Sequence, residues 1–414
     1  MLQRFNYVIT ILFFVCYSYQ FLYIPIAMFA KKAREKKAAP AKTNVIAVLI
    51  AARNEEAVIG QLIDSVKAQD YPQELIDVFV VADNCTDGTA RIAREKGAFV
   101  CERFDKIHVG KGYALNFLLR SISESVFYRH DAYLVLDADN VLAPDFITRM
   151  NETFSEGYDA VTCYRNSKNF SDNWISAGYG LWFLRESQYL NRARMEIGSS
   201  CAVSGTGFMF SDELLQRCGG WEYYLLTEDI EFTIDSVVKG ARFGYAEKAV
   251  LYDEQPVSLR QSFRQRLRWA RGYMQVFFRY CEKLFSGIFA GSFSCYDMTM
   301  NIAPAAVLTG ASIAVNGFAA VSAIIAGRGA LAVAMSFLEC LAGIYGSLFV
   351  IGLITTLSEW NKIYCPAAKK ILYCFTFPLF MLTYVPICFC ALFVDPGWKP
   401  IEHGRSFRVP GQTA

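Results

Sequence analysis

NVIAVLIAARNEE (residues 44–56), DVFVVADNCTDGT (77–89) and YLVLDADN (133–140) share one plan: an apolar, β-branched run that stops abruptly at a cluster of polar side chains. Short continuous apolar runs of this kind fit strands buried on both faces. They predict strands at Asn44–Ile50, Asp77–Ala82 and Tyr133–Leu136, with a further strand at Ala98–Cys101. Between them lie segments of helical spacing: Glu55–Gln69, where Val58, Leu62, Ile63 and Val66 share a side, and stretches near 87–96, 111–126 and 144–156. Alternating β and α units predict an α/β domain with a mostly parallel, doubly wound sheet. Ligands of such sheets bind beyond the carboxyl ends of the strands. The polar clusters at 53–56, 83–89 and 137–140 stand at those ends.

Outward from this core the chain becomes apolar. Of its 414 residues 54 % are hydrophobic and only 19 % charged, against the quarter usual in soluble domains. Forty-one Lys+Arg against 39 Asp+Glu leave a net charge of +2, which argues against nucleic-acid binding through global charge. The apolar residues are segregated. Tyr7–Ala30 is followed by Lys31, Lys32, Arg34, Lys36 and Lys37, the order of an uncleaved span with a cytoplasmic C-terminal flank rather than of a signal peptide. Apolar runs return at Met298–Gly327, Leu331–Leu357 and Ile371–Val394. Pro378 and Pro386 in the last run favour a kinked or re-entrant pair of half-helices and a tail on the cytoplasmic face, with three complete crossings as the alternative. The thirteen Cys are scattered without a CxxC pair, as expected of reduced buried thiols.

Several clusters carry chemistry. Asp137 and Asp139, one residue apart behind a buried strand, suit a shared Mg²⁺ or Mn²⁺ completed by substrate phosphates; a turn is the bland reading of an isolated Asp-x-Asp. Asp83 at the neighbouring strand tip is either a turn former or an acceptor for a nucleobase N–H. Lys111, between Gly110 and Gly112 at a helix start, suits a phosphate, although a solvated lysine fits locally as well. Thr227-Glu228-Asp229 reads locally as a capped acidic helix start. From Ser258 to Cys281 an apolar stripe (Leu259, Phe263, Leu267, Ala270, Met274, Phe277, Cys281) alternates with six arginines, the pattern of an interfacial amphipathic helix. That pattern leaves unexplained why Gln265, Arg268 and Trp269 share one face. An arginine there can grip a diphosphate bidentately, and an indole can stack on a sugar ring.

In chain order, RNEE (53–56), VADNCTDGT (81–89), GKGYALN (110–116), DADN (137–140), SGTGFMF (204–210), TED (227–229) and QRLRW (265–269) resemble the motifs of family 2 glycosyltransferases. The likeness is to the membrane-embedded branch with a Gln-x-x-Arg-Trp motif, which includes cellulose, hyaluronan and poly-N-acetylglucosamine synthases and some lipid glucosyltransferases. Ala82 departs from it, since many relatives carry an acidic residue there.

The resemblance implies a GT-A-type sheet inserted between transmembrane helices. It divides the chain into an N-terminal span and basic flank (1–37), a cytoplasmic catalytic domain (43–257), interfacial helices (258–292), a C-terminal membrane region (297–395) and a tail (396–414). It implies that Asp229 is the general base. Glu55, Asp83, Lys111, Asp137, Gln265 and Arg268 would bind the UDP-sugar, Asp139 with Asp137 the metal, and Trp269 the acceptor. The expected reaction is inverting transfer of a hexose or N-acetylhexosamine to a growing β-linked, cell-wall type polysaccharide, coupled to export across the cell membrane. Single addition to a lipid or polyprenyl carrier is the alternative, and an inactive scaffold or transporter the reading from another class. Glu339 is expected to line the path between the membrane helices, and Trp398–His403 resembles a segment that follows the last helix in many relatives.

Overall fold

The computed structural model describes residues 2–29, 41–124, 129–303, 305–327, 330–397, 404 and 407. The basic flank at 31–37 and the segment 398–403 lie outside the described residues.

The chain begins with α1 (Leu2–Tyr17) and α2 (Tyr19–Phe29), which meet at Ser18, so the first apolar run is an interrupted helix. The catalytic-type domain follows as β1 (Ile46–Ala52), α3 (Ile59–Lys67), β2 (Ile76–Asp83), α4 (Thr89–Glu95), β3 (Phe99–Arg103), α5 (Lys111–Ser123) and β4 (Ala132–Asp137). Next come β5 (Val141–Leu142), α6 (Phe146–Phe154), β6 (Ala160–Ser167) and α7 (Trp174–Arg185). A π-helical turn at Glu186–Asn191 leads into α8 (Arg192–Glu196). The domain closes with β7 (Phe208–Ser211), α9 (Asp212–Cys218), α10 (Glu228–Val238) and β8 (Phe243–Asp253). Each strand and helix expected in the first half is present within a few residues of its sequence bounds.

The eight strands form one sheet in the order β3-β2-β1-β4-β7-β6-β8-β5. The first four are parallel, with Ile46 opposite both Ile76 and Ala132. The second half is mixed: β7 runs antiparallel to β4 and β6, and β5 antiparallel to β8. Four of the seven strand pairs are thus parallel, β6 with β8 among them, and β7 is set antiparallel between β4 and β6. Alternate residues of β1 serve opposite faces. Ala47 and Leu49 pack with Leu115 and Leu118 of α5, and Val48 and Ile50 with Leu62, Ile63 and Val66 of α3. Both faces are thereby covered, which is why β1 is apolar without alternation.

Beyond the sheet, α11 (Leu259–Phe289) starts where the Ser258 hydroxyl accepts the Gln261 N–H, and α12 (Phe293–Ile302) follows. Then come α13 (Ala305–Ile325), α14 (Ala330–Ser358), α15 (Ala367–Leu382) and α16 (Tyr384–Phe393). Among the described residues three segments are long and apolar enough to cross a membrane: Tyr7–Phe29, Phe337–Ser358 and Ala367–Phe393. The run expected from Met298 to Gly327 instead divides. Its first residues end α12, Ala303 turns extended ahead of Pro304, and the remaining apolar helix, Gly310–Ile325, is short.

The last apolar run breaks at Thr383, between its two prolines. Arg266 of α11, almost wholly buried, fills the break: its guanidinium donates to the Phe380 carbonyl at 3.1 Å and the Thr383 hydroxyl at 2.7 Å. Arg271 likewise donates to the Ala391 carbonyl of α16 at 3.2 Å, so two of the six arginines serve the C-terminal apolar helices. Of the tail, Phe407 lies against Tyr252 at the end of β8, with ring centroids 5.0 Å apart, and its N–H donates to Gln61 of α3.

Candidate active site

Five strand ends and two helix starts converge on a single large cavity of about 1050 Å³. Glu55, Asp83, Lys111, Asp137, Asp139, Asp229, Gln265, Arg268 and Trp269 all line it, as does Glu339 from α14. Every site residue expected from sequence is therefore brought to one place.

The parallel strands supply one end of the cavity. Asp83 ends β2, where its carboxylate accepts from Arg103 at 2.6 Å and from the Asn84 amide at 3.1 Å. Asn54 and Asn84 adopt left-handed backbones (φ 56° and 55°), which turn the chain sharply at the ends of β1 and β2. The Asn54 side chain accepts the Thr86 N–H at 2.8 Å and so clips the two loops together. Asp137 ends β4 and is paired with Lys111, whose ammonium also donates to the Gly205 carbonyl at 2.6 Å. Burial alone would lower the lysine pKa, but the facing Asp137, with Glu228 and Asp229 behind it, holds it above its ordinary value. Asp139 is buried, and its carboxylate accepts the Glu254 N–H at 3.0 Å.

Among the described residues no group of three or more His, Cys, Asp or Glu is close enough to hold a cation unaided. Two carboxylates one residue apart, opening on a cavity, fit a Mg²⁺ or Mn²⁺ that draws its remaining ligands from substrate phosphates and water.

The start of α10 supplies Thr227, Glu228 and Asp229. Local sequence reads Thr227 as an N-cap, yet its side chain makes no cap bond, and its buried hydroxyl has no partner among the described residues. Instead it packs against α11: a Cβ at Gly272 would come within 2.6 Å of the Thr227 side chain, so only glycine lets the two helices close at this height. Asp229 accepts the Gly205 N–H at 2.5 Å. Burial raises the pKa of both acids. Glu228 rises to about 7, with the neighbouring Asp229 charge adding to the effect, while the Gly205 and Ile230 N–H groups offset part of the rise in Asp229.

α11 contributes the third wall. Trp269 packs edge-on against Tyr179 and Phe183 of α7, at 5.8 and 6.2 Å between centroids. The amide oxygen of Gln265 is buried with no hydrogen-bond partner among the described residues, the condition of a group awaiting a ligand.

Other lining residues come from stretches where sequence gave no warning. Arg165 at the end of β6 donates to Asp253 at the end of β8 at 2.5 Å and to the Ser204 carbonyl at 2.8 Å, with its guanidinium 3.6 Å from the centre of the Phe183 ring. Glu186 opens the π-helical turn and accepts from the Ser204 hydroxyl; burial raises its pKa. Both residues follow the rule that functional groups sit where regular elements end or are interrupted, but β6 and β8 alternate too irregularly to be read as strands.

A family model described as "Glycosyltransferase like family 2" matches residues 42–272, more than half of the chain. Among curated relatives, the beta-monoglucosyldiacylglycerol synthase of Nostoc sp. is 25 % identical over 69 % of this chain and 61 % of its own. The poly-beta-1,6-N-acetyl-D-glucosamine synthase of Staphylococcus epidermidis is 25 % identical over 56 % of each. The chain thus spans less than two thirds of the length of either. Among solved structures, a Pyrobaculum calidifontis mannosyltransferase crystallised with GDP-Man and Mn²⁺ superposes over 95 % of this chain and 99 % of its own, with a TM-score of 0.62 at 18 % identity, a likeness of fold.

Proposed function

The chain belongs to glycosyltransferase family 2, and on that premise we propose that it moves a hexosyl or N-acetylhexosaminyl unit from a UDP-sugar, with inversion, to a hydroxyl of a membrane-held acceptor. The observation that carries this reading is the continuity of the cavity. One space joins Asp83, Lys111, Asp137 and Asp139 to Asp229 and Trp269, and runs on between the apolar helices to Glu339.

In this reading Asp83 accepts an N–H of the uracil, with Glu55 beside it. Asp137 and Asp139 hold a Mg²⁺ or Mn²⁺, which when bound takes up charge on the leaving diphosphate. Lys111 and Arg268 face the same oxygens from two further sides, and Gln265 offers its unpartnered carbonyl to a donor hydroxyl. Trp269 forms the platform for the acceptor. The acceptor oxygen bonds to the anomeric carbon as the carbon–oxygen bond to the diphosphate breaks. The electron pair leaves with UDP, and the hydroxyl proton passes to Asp229. A single displacement inverts the anomeric centre, so an α-linked donor gives a β-linkage. A raised pKa suits Asp229 to receive a proton.

The relatives' names fall on both sides of the acceptor question. Between the helices the lining combines Phe13, Phe21, Ile344, Ile351, Met381 and Val385 with Ser312, Glu339, Ser347 and Thr355, and its larger apolar share suits lipid tails. This favours single addition to a lipid over the extrusion of a polysaccharide. The use of a UDP-sugar supports a catalytic domain on the cytoplasmic face of a cell membrane.

The test is UDP release by the purified protein in nanodiscs from UDP-glucose, UDP-N-acetylglucosamine and UDP-galactose, with Mn²⁺ or with EDTA. Metal-dependent release with label passing to the organic phase supports the reading. Label retained as a high-molecular-weight polymer would restore the polysaccharide reading, and no release from any of the three donors would overturn the UDP-sugar reading.

A further inference from the structure

Arg185 is the last residue of α7 and lines the cavity where its polar and apolar halves meet. Its guanidinium donates to Gln20 of α2 at 3.0 Å and lies 5.4 Å from the centre of the Trp182 ring. Among the described residues it forms no ion pair. Neighbouring arginines do: Arg165 with Asp253, Arg192 with Glu247 at 2.5 Å and Arg194 with Asp297 at 2.7 Å. The next residue, Glu186, accepts from the Ser204 hydroxyl, and its charge supports the guanidinium without forming an ion pair with it. Burial lowers the Arg185 pKa to about 10, which still leaves it fully charged at neutral pH. Bonded to a neutral amide at the cavity wall, the guanidinium keeps N–H donors for an anion that enters the cavity.

The donor's diphosphate does not supply that anion, since Lys111 and Arg268 already face it in the proposed reaction. The acceptor is the other substrate that can bring one. Phe21 and Ile24 share α2 with Gln20, the partner of Arg185, and they line the same cavity as Phe13, Ile344, Ile351 and Asp229. Resting on the transferase reading, we propose that Arg185 binds the phosphate of a phospholipid acceptor. The tails of that lipid lie among the apolar helices, and its headgroup hydroxyl reaches Asp229. Arginine suits this task because its planar donor fork meets two phosphate oxygens at once.

The test uses the full chain in phosphatidylcholine vesicles with a labelled UDP-sugar. The vesicles are doped with phosphatidylglycerol or phosphatidylinositol, which carry both phosphate and hydroxyl, or with diacylglycerol, which carries the hydroxyl alone. A further arm adds soluble glycerol phosphate to undoped vesicles. The expected result is transfer of label to an anionic lipid about tenfold faster than to diacylglycerol or glycerol phosphate. Arg185→Gln should raise the half-saturating fraction of that lipid about tenfold, and Arg185→Lys should recover part of the loss. As a check independent of variant folding, the anionic lipid should raise the Tm of the wild-type protein more than diacylglycerol does. Equal rates with diacylglycerol, equal rates with glycerol phosphate, or an unmoved half-saturating fraction in Arg185→Gln would each overturn the proposal while leaving the transferase reading intact. Wild-type protein that releases no UDP in any vesicle would overturn both.

Discussion

Asp229 accepts the Gly205 N–H at 2.5 Å, and the carbonyl of the same glycine accepts from Lys111 at 2.6 Å. One peptide group thus ties the proposed base to the proposed diphosphate ligand. Gly205 adopts φ +76°, a conformation other residues rarely take, so the turn is built for this geometry. Asp229→Asn keeps the shape and an oxygen for the Gly205 N–H but removes the proton acceptor. Transfer should fall about 10²–10⁴-fold while UDP affinity changes little. Isothermal titration with UDP alongside a transfer assay checks this, and a variant with near-normal turnover would exclude Asp229 as the base.

Asp139 tests the metal. It is buried, and the Glu254 N–H already holds one of its oxygens at 3.0 Å, so the carboxylate is fixed in place before any cation arrives. Asp139→Asn should raise the Mn²⁺ concentration for half-maximal activity by about an order of magnitude or more. The same substitution should abolish the Mn²⁺ enhancement of UDP binding. An unaltered Mn²⁺ titration would assign the cation elsewhere.

The parallel half of the sheet was legible because β1, β2 and β4 are buried on both faces and announce themselves as uninterrupted apolar runs ending in polar clusters. The same logic located Asp83, Asp137 and Asp139. It did not reach Arg165, Asp253 or Glu186. β6 and β8 bear polar side chains along their length, such as Thr162, Asn166, Glu247 and Lys248, and the register between them shifts at Cys163/Tyr164, so neither shows a clean period. Glu186 lies in a π-helical turn, a feature with no sequence period of its own. The role of Thr227 was misread for a related reason. Ser, Thr and Asp at helix starts are usually caps, and only the approach of Gly272 from a distant helix shows that packing has overridden the local habit.

Glu228 should leave a mark on the pH dependence of stability. Burial, with Asp229 beside it, raises its pKa from 4.5 to about 7. The folded protein therefore binds this proton more tightly than the unfolded chain does. The resulting stabilisation is full below about pH 4.5 and is lost as pH rises through about 7. Tm in detergent should decline between pH 5 and pH 8, and Glu228→Gln, which mimics the protonated acid, should flatten that decline by a few degrees. A variant that keeps the wild-type slope would show that another acid, such as Glu186, carries it.

The largest single effect on stability is expected away from the site, at the Arg194–Asp297 pair. Both side chains are fully buried. The guanidinium meets the carboxylate at 2.7 and 3.3 Å, and the Tyr19 and Tyr23 hydroxyls donate to the same carboxylate at 2.7 and 3.0 Å. Four side chains from α2, α8 and α12 are thus joined around one charge pair, which fastens the N-terminal apolar helices to the domain that carries the site. Removing one partner strands the other charge in a place without water, so Asp297→Ala should cost about 3–5 kcal/mol. Tyr23→Phe removes only one hydrogen bond to the carboxylate and should cost about 1–3 kcal/mol. The decisive comparison is the double variant Arg194→Met/Asp297→Leu. Because no charge is left stranded, it should be more stable than Asp297→Ala alone, although it loses the same ion pair. Thermal unfolding of the three variants in one detergent measures this order. A double variant as unstable as the sum of its parts would mean that the pair's directional bonds, rather than its buried charge, hold the N-terminal helices in place.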